Sequence, residues 1–124
     1  MKSIIDNLPI YLQITYGVKE AILDQSLKEG EPLPSTVKLS KEYNINVATV
    51  NKAFNALVDE GLVYKKRGLG MFVKKGARAL LIKERRKLFA EQYVKRVLKE
   101  AKNLDYTVEE LQQIVKETYE AMEK

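Results

Sequence analysis

The chain has no cysteine, no histidine and no tryptophan among its 124 residues. It therefore has no thiolate, no imidazole base and no soft metal ligand, which removes most hydrolytic chemistry and the usual zinc sites. No metal, no cofactor and no enzymatic activity are expected, since carboxylates on a helix surface carry little weight alone. Without cysteine there is also no disulfide framework to indicate an oxidising compartment. No apolar run reaches the length of about 18 residues that a membrane span requires. The opening stretch MKSIIDNLPIYLQ carries Asp6 and Pro9 where a secretory signal needs unbroken apolar residues. A cytoplasmic location without a membrane partner is the expectation.

What is present is a composition able to fold. Hydrophobic residues make up 45% and charged residues 31%, so a modest core is affordable in a chain of this size. Lys and Arg number 22 against 17 acids, giving a net charge of +5, which favours an anionic partner. Placement says more than the total. Lys65, Lys66, Arg67, Lys74, Lys75 and Arg78 fall in a stretch without any acid. Bases outnumber acids from Arg78 to Lys102, and acids outnumber bases from Asn103 to Lys124.

Proline and glycine are scarce and therefore punctuate. Ile14, Val18, Ala21 and Ile22 recur at helical spacing, so a helix is expected from about Ile10 to Leu27, with Gly30, Pro32 and Pro34 closing it. Ser35 is an N-cap type, and Thr36 to Tyr43 carries a second, short helix. Asn44 tolerates left-handed backbone, and Asn46 caps a third helix with Val50, Ala53, Phe54 and Leu57 on one stripe and Gly61 as its stop. Leu62-Val63-Tyr64 and Met71-Phe72-Val73 are strand-forming around Arg67-Gly68-Leu69-Gly70, which has turn chemistry. After a junction at Gly76, one long helix is expected from about Ala79 to Lys102. Thr107-Val108-Glu109-Glu110 is a capping box that opens a last helix with Leu111, Ile114, Val115 and Tyr119 on its inner face.

The resulting architecture is mainly α with a small β-hairpin. A winged helix-turn-helix is expected over residues 1–76, followed over 77–124 by a two-helix domain for dimerisation, with Leu88, Leu111, Ile114, Val115 and Tyr119 at the seam. On the third helix the apolar stripe leaves Ala48, Asn51, Lys52 and Asn55 outward, with Thr49 at the edge. Asn can pair with adenine, Lys with guanine or phosphate, and the Ala or Thr methyl can touch thymine. The N-termini of the second and third helices, with Ser35, Thr36, Lys38, Asn46 and Thr49, suit phosphate. Lys65, Lys66 and Arg67 at the hairpin tip, where Gly68 and Gly70 allow close approach, suit a DNA backbone or minor groove. Tyr11 and Gln13 are assigned to packing and capping.

Pro9-Ile10-Tyr11-Leu12-Gln13-Ile14, Leu33-Pro34-Ser35, Asn46 with Thr49-Val50, Ala53-Phe54 with Leu57, Glu60-Gly61-Leu62 and Gly68-Leu69-Gly70-Met71-Phe72-Val73 occur in one order and spacing from Leu8 to Val73. As a set they resemble the GntR family of bacterial transcription regulators. The short segment after the wing, and the Pro9-Ile10-Tyr11 opening, are similar to the YtrA-type branch. That resemblance implies a homodimer bound to double-stranded DNA, repressing operons that often encode ABC transporters. Val37 stands where the family usually places an arginine that reads DNA, and Val47 where proline or arginine is usual. The competing reading is a winged-helix module that binds protein without specific DNA recognition, and Val37 favours it. With so little chain beyond the wing, the expectation is no deep effector pocket but at most a small crevice between the C-terminal helices or at the dimer seam, and the sequence identifies no effector.

Overall fold

The computed structural model describes residues 7–123. The segment through Asp6, read above against a secretory signal, lies outside the described residues. The elements follow in the order α1 (Ile10–Leu23), α2 (Thr36–Tyr43), α3 (Val47–Asp59), β1 (Val63–Lys66), β2 (Gly70–Val73), α4 (Ala77–Leu88), a π-helical segment (Phe89–Val94), α5 (Lys95–Asn103) and α6 (Val108–Met122).

α1 buries Ile14, Val18 and Ile22 and stops at Leu23, short of the expected Leu27. The reason is local. Gln25 adopts φ 66°, the Asp24 carboxylate accepts the Ser26 N–H at 2.9 Å, and the Leu27 N–H donates back to the Ala21 carbonyl at 3.0 Å. This reversal still delivers Leu27 to the core, so its apolar spacing mimics another helical turn.

The helix-turn-helix is set by its caps. The Ser35 hydroxyl accepts the Lys38 N–H at 3.1 Å, which opens α2, and Asn44 in left-handed geometry (φ 55°) closes it. Asn46 then opens α3, its Oδ1 accepting both the Thr49 N–H at 3.0 Å and the Thr49 hydroxyl at 3.1 Å. α3 buries Val50, Ala53, Phe54 and Leu57, each no more than 3% exposed, against α1 and α2.

β1 and β2 pair antiparallel, with Val63 opposite Val73, Tyr64 opposite Phe72, Lys65 opposite Met71 and Lys66 opposite Gly70. The hairpin therefore extends closer to its tip than expected, and Leu62 is a buried residue just before β1. The proline-rich loop is more than a helix breaker. It lies along β2, with the Gly30 N–H on the Val73 carbonyl, the Val73 N–H on the Glu31 carbonyl and the Leu33 N–H on the Met71 carbonyl. Pro32 faces Phe72 in this edge pairing, where its missing N–H breaks no ladder.

The chain divides into two compact units, the first ending at Lys83 and the second starting at Glu84. The expected junction at Gly76 falls earlier, because Ala77 and Leu81 of α4 are 1% exposed within the first core. Glu29 also binds the start of α4, its carboxylate accepting the N–H of Gly76 at 3.1 Å and of Arg78 at 3.3 Å.

In the second unit the single helix expected over 79–102 is interrupted by the wider π-helical turns of Phe89–Val94. Thr107 and Glu110 form both halves of the expected capping box on α6. The apolar face of α6, expected at a seam between two copies, is open on the single chain. Leu111 is half-buried, while Ile114, Val115 and Tyr119 are exposed, and Ala101 is the buried residue among those described in this unit. Two helices have no further layer to cover such a stripe.

Leu57→Ala is expected to cost about 2 to 5 kcal/mol of folding stability, the range for emptying a packed leucine site. Val58→Ala, one residue on and on the exposed side, should change it by about 0.5 kcal/mol or less. Urea denaturation followed by circular dichroism compares the two.

Candidate nucleic-acid interface

Because α3 buries one stripe, the opposite stripe is presented by geometry rather than by choice. Ala48, Asn51, Lys52 and Asn55 are exposed and Thr49 is half-buried. At the start of the helix the first-turn amides of Val47 and Ala48 have no intrahelical acceptor, as in any helix. The Thr49 hydroxyl spends its proton on Asn46, so the outward donors here are those amides and the Asn46 side-chain NH₂. Donors at a helix N-terminus suit an anion.

Two grooves flank the exposed stripe. One is lined by Ser35 and Thr36 from the start of α2, Asn51 and Asn55 from α3, and Lys65, Leu69 and Gly70 from the hairpin. The other is lined by Tyr11 from α1 together with Ala48, Asn51, Lys52, Asn55 and Asp59. Asn51 and Asn55 form the ridge shared by both. Three segments distant in sequence are thus brought to one surface: the α2 N-terminus, the outward face of α3 and the hairpin. Lys38 and Arg67 are exposed but line neither groove.

The pleat of the hairpin sorts its basic residues. Tyr64 and Phe72 stack across the strands at 5.9 Å between ring centroids, and the Lys66 ammonium lies 5.4 Å from the Phe72 centroid. Lys66 therefore belongs to the aromatic side. Lys65, on the alternate side, lines the groove beside α3. Of the expected wing residues, Lys66 is thus not brought to α3, whereas Lys65 and Gly70 are. Gly68 sits at the turn with φ 77°, in the region that favours glycine, and Leu69 at the tip is 66% exposed. Lys38, Lys65, Lys66 and Arg67 pair with no carboxylate among the described residues, so their charges stay available.

Gln13 does not cap α1, which carries no side-chain cap hydrogen bond; it donates instead from Nε2 to the Leu8 carbonyl at 2.9 Å, tying the helix to the segment before it. Tyr11 packs against the core, as expected, but also does something the sequence does not signal: the Lys52 ammonium lies 4.1 Å from its ring centroid. Helical periodicity reports on neighbours within one helix, and these two residues sit on different helices.

The second unit offers an apolar surface. Val97, Leu104, Tyr106 and Ile114 are all exposed to some degree and, with Ala101 and Leu111, line a shallow depression between α5 and α6. Val115, Tyr119 and Met122 continue it along α6, at 58%, 67% and 79% exposure. Leu88 is half-buried. No helix among the described residues is long and apolar enough to cross a membrane. Nor do they gather three or more acidic residues into a set that could hold a metal ion.

Comparison with known proteins places this geometry. The family model for bacterial regulatory proteins of the gntR family matches residues 10–73, the span from α1 to the end of β2. The chain is 32% identical over 109 residues to the HTH-type transcriptional repressor YtrA of Bacillus subtilis, covering 88% of this chain and 83% of that protein. A transcriptional regulator of the GntR family from Bacteroides thetaiotaomicron has a similar structure, with a TM-score of 0.69 and 28% identity, covering 92% of this chain and 99% of the other. The DNA-binding domain of AraR, solved in complex with its operator ORX1, matches with a TM-score of 0.52 and 29% identity, over 53% of this chain and 80% of that one. These relatives are transcriptional regulators rather than enzymes. The chain belongs to the GntR family of bacterial regulatory proteins, in its YtrA-type branch.

Proposed function

We propose that this regulator is a repressor that binds double-stranded DNA sequence-specifically as a homodimer, on an operator of two related half-sites. The observation that carries the DNA reading is the convergence of Ser35, Thr36, Asn51, Asn55, Lys65 and Gly70 on one groove. The polar groups on and beside that groove divide by chemistry. The α2 and α3 N-termini and Lys65 offer donors to phosphate, which position the protein, while Asn51, Lys52 and Asn55 offer side chains to base edges, which carry sequence information. A helix of α3's size fits the major groove, and a hairpin beside it reaches the adjoining backbone. The operator-bound AraR domain supports the same use of the shared fold. Transporter genes as the target class rest on the family resemblance alone.

Homodimerisation is supported by the second unit, where Val115, Tyr119 and Met122 leave an apolar stripe facing solvent. Apolar stripes of this kind bury themselves against another surface, and a second copy offers a matching one by two-fold symmetry. Occlusion of a promoter by such a dimer makes repression the sign of regulation. The protein-interaction reading draws on Val37 at the position of the family's arginine. Salt separates the two, because phosphate contacts release counterions on binding and an apolar protein interface does not.

Lys65→Gln is expected to reduce the slope of log affinity against log salt by about 1, the share of one phosphate contact, and Lys66→Gln to leave it unchanged. Fluorescence anisotropy over a salt series, with a duplex that the protein selects from a random-sequence pool, measures both. A wild-type chain that selects no duplex from the pool would favour the protein-interaction module instead. Val115→Glu, which places a charge on a side chain already 58% exposed, should leave the fold intact and convert a dimer into a monomer. Light scattering coupled to gel filtration reads the mass, and affinity for the selected duplex should drop by about tenfold or more as the second half-site is lost.

A further inference from the structure

We propose that Tyr11 is a positioning residue for DNA reading, its ring holding the Lys52 ammonium in place on the outward face of α3. The inference rests on the DNA-binding reading above and deepens it. Tyr11 lies in the first turn of α1, half-buried against the core, so the position of its ring is set by packing. The Lys52 ammonium is 4.1 Å from the ring centroid, within the distance at which the negative face of an aromatic ring attracts a cation. Asp59 lines the same groove, yet no carboxylate among the described residues pairs with Lys52. The ring therefore restrains the charge without neutralising it.

That distinction matters for recognition. A lysine stem is long and flexible, and a contact made by a free one has to immobilise it first. With the ring beneath it, Lys52 meets the duplex already placed, next to Asn51 and Asn55 on the same groove. A donor that is already placed loses less on docking and cannot swing aside to accommodate a wrong base pair, so it sharpens discrimination. The Tyr11 hydroxyl makes no hydrogen bond among the described residues, which leaves the ring as the working part.

The test is a double-mutant cycle on the full chain, with a duplex selected from a random-sequence pool and an unselected duplex as the two probes. Tyr11→Leu should weaken binding to the selected duplex about two- to fivefold, leaving the salt slope and the unselected duplex unchanged, and Tyr11→Phe should behave as wild type. In a Lys52→Met background, Tyr11→Leu should cause no further loss. In the DNA-free protein, the proton resonances of the Lys52 ε-methylene should be shifted upfield by the ring and return to their ordinary position in Tyr11→Leu. If thermal unfolding shows Tyr11→Leu to be unfolded, Tyr11→Met, which fills similar space without a ring, replaces it in the cycle. Additive losses in the double variant, an unshifted Lys52 resonance in wild type, or Tyr11→Phe failing as Tyr11→Leu does would each overturn the role given to Tyr11. If the wild-type chain selects no duplex at all, the DNA-binding reading falls and takes this inference with it. A selected duplex with an additive cycle removes Tyr11 alone.

Discussion

The burial of one stripe of α3 is the constraint on which the rest depends. Val50, Ala53, Phe54 and Leu57 dock onto α1, α2 and the hairpin base, and all four are almost wholly removed from water. A helix with one side so committed has no freedom to rotate, because turning it by one residue would drive Asn51 or Lys52 into the core and expose Val50 or Phe54. The position of the recognition surface is thus a consequence of core packing. The polar residues on it are free to be chosen for what they touch outside the molecule.

Around that helix, placement depends on short-range hydrogen bonds made by few residues. Ser35 and Asn46 cap α2 and α3, and Asn44 takes the left-handed turn between them, so the α2 N-terminus lies beside the outward face of α3. The loop 30–33 adds a third edge to the hairpin, which ties the wing to the segment just before α2. The groove between α2, α3 and Lys65 is therefore bounded by elements bonded to one another. A hairpin of two short strands is marginal by itself, and this edge pairing, with the buried Val63 and Val73, gives it the support it lacks.

The second unit works by the opposite logic. Its capping box and amphipathic pattern specify helices well, but two helices cannot cover their own apolar faces, so Val97, Val115, Tyr119 and Met122 are exposed on the single chain. In the first unit, apolar periodicity identified residues buried within the chain. In the second, the same kind of periodicity identified residues left exposed, since the pattern says that a face is apolar and not what lies against it.

Much of the winged unit was legible in the residues themselves. Caps, glycine turns and the stripe of α3 are signals read within a few positions of one another, and they located α2, α3 and the hairpin closely. The end of α1 was misread because Leu27 reaches the core through a reversed turn at Gln25, which apolar spacing cannot distinguish from a helix. The edge pairing of Pro32 with Phe72 and the place of Leu81 in the first core had no local signal. The division of Lys65 from Lys66 followed from strand register, which is set by the buried pair Val63 and Val73. The ring of Tyr11 beneath Lys52 joined residues on separate helices. Sequence alone determined which faces are apolar and where helices begin, because those properties belong to neighbours along the chain. Tertiary structure alone decided which charges share a groove, because that depends on how separate elements pack.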